Sequence, residues 1–448
     1  MPATNIDEIT IIGAGLAGSE AAYTAAKLGC KVKLYEMRPA VMTPAHHTGD
    51  PAELVCSNSL GSDDPEKAPG ILKAELRRVG SLLINAADNT RIPAGKALAV
   101  DRVKFSRYIK EKLDKEPLIK WQTGEVLDID TKKITIIATG PLTTDTLASR
   151  LKKLVGDDFL YFFDAVSPIL TSESLDHDII YPAARYQPGK DDYLNCPMDK
   201  DEYLVFREEL CNAELAPIKN FEKGKFFEGC LPIEELASRG IDTMRFGPMK
   251  PVGLPDPRTG KEPYAVVQLR REDKEGNLYS LVGFQTRLKW GEQKRVFRMI
   301  PGLAVAKFVR YGVMHKNMYV NAPLCLQPTL QVKKYPGVFL AGQITGVEGY
   351  VECAGSGWLA GLNAGLLMKG MTPLVLPPEC ALGALPAAIT GANPDNFQPV
   401  NINLGLLLAG LEKVKDKKRR NKEIANRAYE SLEKFIMENE KCFTQLLS

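Results

Sequence analysis

The stretch Glu8-Ile9-Thr10-Ile11-Ile12-Gly13-Ala14-Gly15-Leu16-Ala17-Gly18 decides how this chain folds. Glu8 to Ile12 is apolar and β-branched, which predicts a short buried strand. It runs directly into three spaced glycines and then an alanine-rich helical stretch, Ser19 to Lys27, closed by Gly29. A second strand follows at Lys31 to Tyr35 and ends in Glu36. Strand, glycine loop, helix and acid-ended strand form the βαβ dinucleotide fingerprint in its required context. Gly13 permits the tight turn, Gly15 lets the backbone approach a pyrophosphate, and Gly18 lets the helix pack closely on the strand. The helix N-terminus is then left to stabilise phosphate charge. Glu36, eighteen residues past Gly18, is placed to accept hydrogen bonds from adenosine ribose hydroxyls.

The far end of the chain points to FAD rather than NAD. Gly337-Val338-Phe339-Leu340-Ala341-Gly342-Gln343 predicts a strand, followed by Ile344 to Gly349 and a small-residue helix, Ala354 to Leu367. This resembles the second flavin segment of two-dinucleotide flavoproteins, where an acid commonly meets the ribityl chain. Gln343 stands in that place, so the contact there is expected to be a neutral hydrogen bond. Ile136-Ile137-Ala138-Thr139-Gly140 resembles the short connecting strand of the same fold. The expected cofactor-binding set is Gly13, Ala14, Gly15, Leu16, Ala17, Gly18, Glu36, Arg38, Gly342, Gln343, Gly346 and Tyr350.

These anchors predict an α/β protein: a Rossmann-like FAD-binding domain of the two-dinucleotide type with an inserted, mostly antiparallel α+β domain. The flavin domain is expected in two parts, 1–160 and 320–448, with the insertion at 161–319. Within the insertion, Tyr264 to Leu269 and Tyr279 to Phe284 flank a charged turn, Arg270 to Asn277, and predict a hairpin. Phe226 to Cys230 and Met244 to Gly247 suggest further short strands, and Lys200 to Glu214 an amphipathic helix. Leu72, Leu76, Val79 and Leu83 share one helical face, and a final helix is expected from about Arg419 to Asn439. The basic run Lys413 to Arg420 before it is either a solvated surface or a phosphate contact.

Composition narrows the setting. With 448 residues, 44% hydrophobic and 25% charged, the chain has the make-up of a globular protein of two or three domains. Its net charge of +3 neither demands nor excludes nucleic acid, so an RNA surface would be a local patch. Met1 to Thr10 carries no signal-peptide pattern, and the apolar run near Leu404 to Ala409 is too short to span a bilayer. A cytoplasmic location without membrane contact is expected. Nine scattered cysteines with no CxxC pair, and only four histidines, make a metal site unexpected.

Several stretches go beyond general flavoprotein texture. They include Tyr35-Glu36-Met37-Arg38-Pro39, Thr43-Pro44-Ala45-His46-His47-Thr48 and Glu53-Leu54-Val55-Cys56-Ser57-Asn58-Ser59-Leu60. Further on stand Ala97-Leu98-Ala99-Val100-Asp101-Arg102, Phe227-Glu228-Gly229-Cys230-Leu231-Pro232 and Phe246-Gly247-Pro248-Met249-Lys250-Pro251. Arg310-Tyr311-Gly312-Val313-Met314-His315 and Gly346-Val347-Glu348-Gly349-Tyr350 complete the set. In order and over nearly the whole chain, these resemble the bacterial folate- and FAD-dependent tRNA (uracil-5-)-methyltransferases. A more distant likeness is to the flavoproteins that modify the wobble uridine of tRNA.

The resemblance implies methylation of uridine C5 in the T loop of tRNA. Methylenetetrahydrofolate would be the one-carbon donor, FADH2 the reductant, and NADH or NADPH the source of its electrons. Ribosomal RNA is an alternative substrate, since related enzymes act on it. A small-molecule NAD(P)H–flavin oxidoreductase and a flavin-stabilised RNA-binding protein are the rival classes. Uracil C5 is a poor nucleophile until a thiolate adds to C6 and gives the ring enolate character, so a reactive cysteine is needed. By the family match the two functional cysteines are Cys230, assigned as the C6 nucleophile, and Cys56, the second active thiol. Cys353 and Cys196 are expected to be packing residues. Tyr350 is a candidate to stack on the flavin or pterin ring, and His46 and His47 are candidate polar contacts near it. Arg102, Lys250, Lys289 and Arg310 are candidate partners for RNA phosphate or folate glutamate.

Overall fold

The computed structural model describes residues 8–156, 159–185, 187, 191–217, 225–226, 231–408 and 416–447. The opening stretch forms strand β1 (Ile9–Ile12), helix α1 (Leu16–Lys27) and strand β2 (Val32–Glu36). β1 lies parallel between β2 and the strand Thr135–Ile137, with Ile9 opposite Val32 and Ile11 opposite Ile136. A strand buried on both faces carries apolar residues continuously, and Ile9, Ile11 and Ile12 are buried accordingly. The sheet runs Gln331–Val332, Tyr335–Leu340, Thr135–Ile137, β1, β2, Ile119–Thr123, parallel except at its first strand. Strands from both ends of the chain thus build one sheet.

The helix Tyr350–Met368 packs alongside α1 through its smallest residues. A Cβ at Gly357 would stand 2.3 Å from the Ala17 carbonyl oxygen, and one at Gly361 would stand 2.6 Å from that of Ala21. The matched order of these contacts makes the two helices parallel, so both N-termini reach the same edge of the sheet. Buried carboxylates fasten the surrounding helices. Glu20 accepts hydrogen bonds from the Ser81 hydroxyl and the Leu82 and Leu83 amides, at the start of the helix Leu82–Asn89. Glu75 does the same for Ala381 and Leu382, opening Ala381–Gly391. Burial pushes Glu20 up to about 7 and Glu75 up to about 8, against the pull of those bonds.

The middle of the chain forms an antiparallel six-stranded sheet in the order Tyr181–Pro182, Tyr193–Met198, Ala265–Arg271, Leu278–Leu281, Ile169–Thr171, Phe308–Arg310. The expected hairpin is Ala265–Arg271 with Leu278–Leu281, and the expected helix is Lys200–Asn212, begun by an Asp199/Glu202 capping box. Two large hydrophobic clusters mark these regions, one drawing on Ile9 to Val155 and Met318 to Leu446, the other on Leu170 to Ala306, and a small third one packs Ile92, Ala94 and Ala99 against Tyr193. Leu160–Ala165 pairs antiparallel with Met314–Tyr319 where the chain passes between the two large clusters.

Some local readings change. Thr243–Phe246 is a turn of helix rather than a strand, because Gly247 and Pro248 stop extension and Phe246 is left 82% exposed. Leu72, Leu76, Val79 and Leu83 are all buried but do not share one helix: Leu72 and Leu76 lie in Ala68–Arg78, Val79 caps its end, and Leu83 lies in Leu82–Asn89 beyond the turn at Gly80. The last long helix, Lys417–Glu438, takes in the end of the basic run. Lys413 to Lys415 and Phe227 to Cys230 lie outside the described residues. Among the described residues, no helix is long and apolar enough to cross a membrane, and no cluster of metal-ligand side chains occurs.

Candidate functional site

A cavity of about 460 Å³ opens where the loops leaving the parallel strands converge on the two helix N-termini. Its wall includes Gly13, Gly15, Leu16, Ala17, Glu36, Arg38, Thr139, Gly140, Gly342, Gln343 and Tyr350. Ala14, Gly18 and Gly346, read with them, stand behind it. Gly18 is a packing glycine, since a Cβ there would fall 1.8 Å from the Gly13 carbonyl oxygen. Gly346 turns against Phe397. Gly15 is the opposite case: its backbone is extended, φ −68° and ψ −167°, and no atom lies within 4 Å of where its Cβ would be. That empty cradle at the start of α1 fits a pyrophosphate.

Glu36 is tightly held. Its carboxylate accepts from the Ala14 amide at 3.0 Å and from the Arg38 amide, Nε and Nη2 at 2.9–3.1 Å. Burial alone would raise its pKa, but Arg38 and the two amides bring it below the ordinary carboxylate range. Arg38 also pairs with Glu53 at 3.2 Å. A ribose hydroxyl at this end would therefore share an acceptor already oriented by Arg38. Gln343 donates to Glu348 on the opposite wall.

The same cavity reaches Cys56, through a segment that four side chains hold in place. The Tyr350 hydroxyl oxygen accepts the Cys56 and Ser57 amides at 2.7 and 3.2 Å. Arg102 donates to the Cys56 carbonyl at 3.1 Å, and Arg310 donates to that of Val55. Arg270, from the antiparallel sheet, donates to the Ser57 hydroxyl at 2.7 Å and to Asn58 Oδ1 at 2.8 Å. Asn58 returns bonds to the Val100 and Arg271 carbonyls. Cys56 Sγ itself lies 3.8 Å from the Ala165 carbonyl oxygen. The thiol is half-buried beside two guanidiniums, an electropositive and partly open setting of the kind in which reactive cysteines occur.

A family model described as glucose inhibited division protein A matches residues 8–372. The methylenetetrahydrofolate–tRNA-(uracil-5-)-methyltransferase TrmFO of Heliobacterium modesticaldum is 56% identical over 431 residues, 96% of this chain and 98% of its own. Its counterpart in Enterococcus faecalis is 55% identical over 421 residues, 94% and 97% of the two chains.

The chain belongs to this methyltransferase family.

Among solved structures, Aquifex aeolicus GidA superposes with a TM-score of 0.66 at 20% identity, covering 98% of this chain and 78% of that one. That likeness establishes the α/β fold with its Rossmann-like half.

Within the methyltransferase fold, the remaining candidates separate. Cys230 lies outside the described residues. Cys196 and Cys353 are buried, and burial pushes both thiols well up; Cys196 packs in the core of the antiparallel region, whereas Cys353 also lines the cavity. His46 lines the cavity and bonds Thr43 at 2.6 Å, while burial and then Arg38 bring it down to about 4, leaving a neutral ring. The His47 amide donates to Glu53. Tyr350 does reach the cavity, but its hydroxyl works as the anchor of the Cys56 segment. Its hydroxyl end is enclosed, which pushes the phenol well above its usual value and keeps it neutral. Arg102 and Arg310, expected to meet a ligand, are part of the same anchor, with Arg102 also paired to Glu272 at 2.5 Å. Lys289 pairs with Glu214, and neither it nor Lys250 lines the cavity.

Three contributors carry no sequence signal. Arg270 reads as one charge in a predicted hairpin, and nothing around Glu53 says that it will orient Arg38. Glu352, in the first turn of Tyr350–Met368, lines the cavity and accepts the Ile402 amide. Burial pushes it up to about 7.

Proposed function

We propose that the cavity holds FAD noncovalently and that this enzyme makes 5-methyluridine in the T loop of tRNA. Methylenetetrahydrofolate is the one-carbon donor, and NADH or NADPH restores the reduced flavin. The observation that carries the reading is the Cys56 segment, clamped open onto the wall of a dinucleotide cavity. The α1 N-terminus and Gly15 would receive the pyrophosphate, Glu36 with Arg38 the adenosine ribose, and Gln343 the ribityl chain. A bound reduced flavin supplies hydride chemistry that no side chain can.

The protein's own work lies on the uracil. The Cys230 thiolate adds to C6, so the ring electrons become available at C5, which attacks the one-carbon unit. A base then removes the C5 proton as tetrahydrofolate leaves the one-carbon unit, which gives an exocyclic methylene. Hydride addition, which a bound reduced flavin would supply, turns it into the methyl group as the thiolate leaves from C6 and the C5–C6 double bond is restored. Cys56, fixed at the cavity wall, is the second thiol and the candidate for the proton step. The stretch 161–319 carries Cys230 and faces the RNA; 1–160 and 320–448 carry the cofactor.

The test uses a tRNA T arm with 5-fluorouridine at the target, where fluorine cannot leave as the proton does. Wild-type protein is expected to shift on a denaturing gel. Cys230→Ala should not shift, yet should stay yellow and make no 5-methyluridine detectable by mass spectrometry. Trapping by Cys230→Ala, with none by Cys56→Ala, would reverse the two thiols.

A further inference from the structure

Phe308 on the antiparallel sheet, Tyr311 just after its strand and Trp290 at the start of the helix Trp290–Phe297 form a ladder of three aromatic rings. Phe308 and Tyr311 stack with centroids 5.3 Å apart and planes 8° from parallel. Tyr311 and Trp290 stack at 5.5 Å and 14°. Inside the same region's core the rings meet edge to face instead, as Phe284 and Phe297 do at 73°. The ladder does not end in the core. Trp290 is 61% exposed, and Tyr311 covers one of its faces, so the other indole face looks into solvent.

The ladder connects to the cavity wall through its chain neighbours, none of the three rings lining the cavity itself. Arg310, next to Tyr311, reaches the Val55 carbonyl, and Val55 and Cys56 both line the cavity. Two residues further on, the Val313 carbonyl accepts the Val166 amide, beside Ala165, whose carbonyl oxygen lies against the Cys56 thiol. Lys294 lies one turn along the helix Trp290–Phe297 and is exposed on the same face as Trp290. An open ring face with a cation beside it is the pairing that receives an unstacked base and its phosphate.

We propose that Trp290, backed by Tyr311 and Phe308, is a stacking platform for an unpaired base of the RNA substrate, flanking the nucleotide that enters the cavity. This rests on the reading of the protein as an RNA-modifying enzyme. Base–aromatic stacking is sequence-tolerant, so the platform positions the loop and leaves the choice of nucleotide to the cavity.

The probe is a T-arm RNA hairpin, titrated against the flavin-loaded protein. Trp358 is buried and Trp121 lies in the distant strand Ile119–Thr123, so quenching of tryptophan emission on RNA binding should come from Trp290. Trp290→Phe is expected to abolish the quench while keeping most of the affinity. Trp290→Ala is expected to weaken binding about tenfold or more, with flavin content and the far-ultraviolet dichroism spectrum unchanged. The platform is overturned if Trp290→Ala binds RNA as the wild type does. It is also overturned if that variant instead loses self-association in sedimentation, which would make the face a protein contact. If the wild-type protein binds no RNA, the functional reading itself fails, independently of any Trp290 variant.

Discussion

The glycine loop after β1 and the segment Val55 to Asn58 face the same cavity but are made in opposite ways. The glycine loop is built by neighbours: Gly13, Gly15 and Gly18 act through backbone geometry within six residues of one another. The Cys56 segment is built by strangers: its anchors sit at Arg102, Arg270, Arg310 and Tyr350, up to 294 residues away. A site made of backbone needs particular residues at fixed spacing, because only glycine tolerates the close approaches involved. A site made of converging side chains needs only that long side chains arrive, and many sequences could deliver them. The first kind should fail by losing its ligand, the second by losing its geometry.

The largest expected effect breaks the first kind. Gly15→Val places a side chain in a backbone conformation that valine adopts freely, with no protein atom within 4 Å of the new Cβ. The protein should fold, with thermal unfolding close to wild type, and come off the column colourless. Gly18→Ala is the contrast: its Cβ would meet the Gly13 carbonyl at 1.8 Å, so it should lower the melting temperature as well. Full visible flavin absorbance in Gly15→Val would mean that the pyrophosphate does not lie against this loop.

A smaller effect should come from the second kind. Tyr350→Phe removes only the oxygen that accepts the Cys56 and Ser57 amides. Leaving an enclosed N–H group without a partner costs about 1–3 kcal/mol. The segment should loosen rather than unfold, since Arg102, Arg270 and Arg310 remain. Methyl transfer is expected to fall about tenfold, in line with about 1.4 kcal/mol of misplacement, while flavin stays bound. A variant with wild-type turnover would show that the arginines alone set the position of Cys56.

This contrast also explains what is legible in the sequence. β1, α1, β2 and the helix beginning at Tyr350 follow from hydrophobic period and glycine placement, and they appear within a few residues of their expected bounds. The small sheet of Ser59–Ser62, Arg91–Ile92 and Ala97–Val100 has strands too short for alternation to register. Arg102 and Arg310 look like ligand-binding cations in sequence. Nothing in their neighbours says that their forks will land on carbonyls 46 and 255 residues away. Tyr350 is legible as a residue of the cavity, but which end of its ring does the work depends on a loop that local pattern does not connect to it.

The smallest effect concerns a feature that local pattern alone leaves undecided. Lys417, Lys418, Arg419 and Arg420 occupy the first turn of the helix Lys417–Glu438, capped by Asp416, whose carboxylate accepts the Arg419 amide at 2.6 Å. Cations at a helix N-terminus oppose the macrodipole, typically by about 0.3–1 kcal/mol each. The Arg419–Glu423 pair offsets about 0.3–0.5 kcal/mol of that. Removing both lysines in Lys417→Ala with Lys418→Ala should therefore raise the melting temperature slightly in the absence of RNA. If the run meets phosphate, the same variant should bind the T-arm RNA more weakly. The slope of log affinity against log salt should then fall by about 0.7–0.9 for each phosphate no longer neutralised. Stability and binding then move in opposite directions, which no solvated surface would produce. An unchanged salt slope with only the gain in melting temperature would return the run to solvent, leaving RNA recognition to side chains gathered around the cavity.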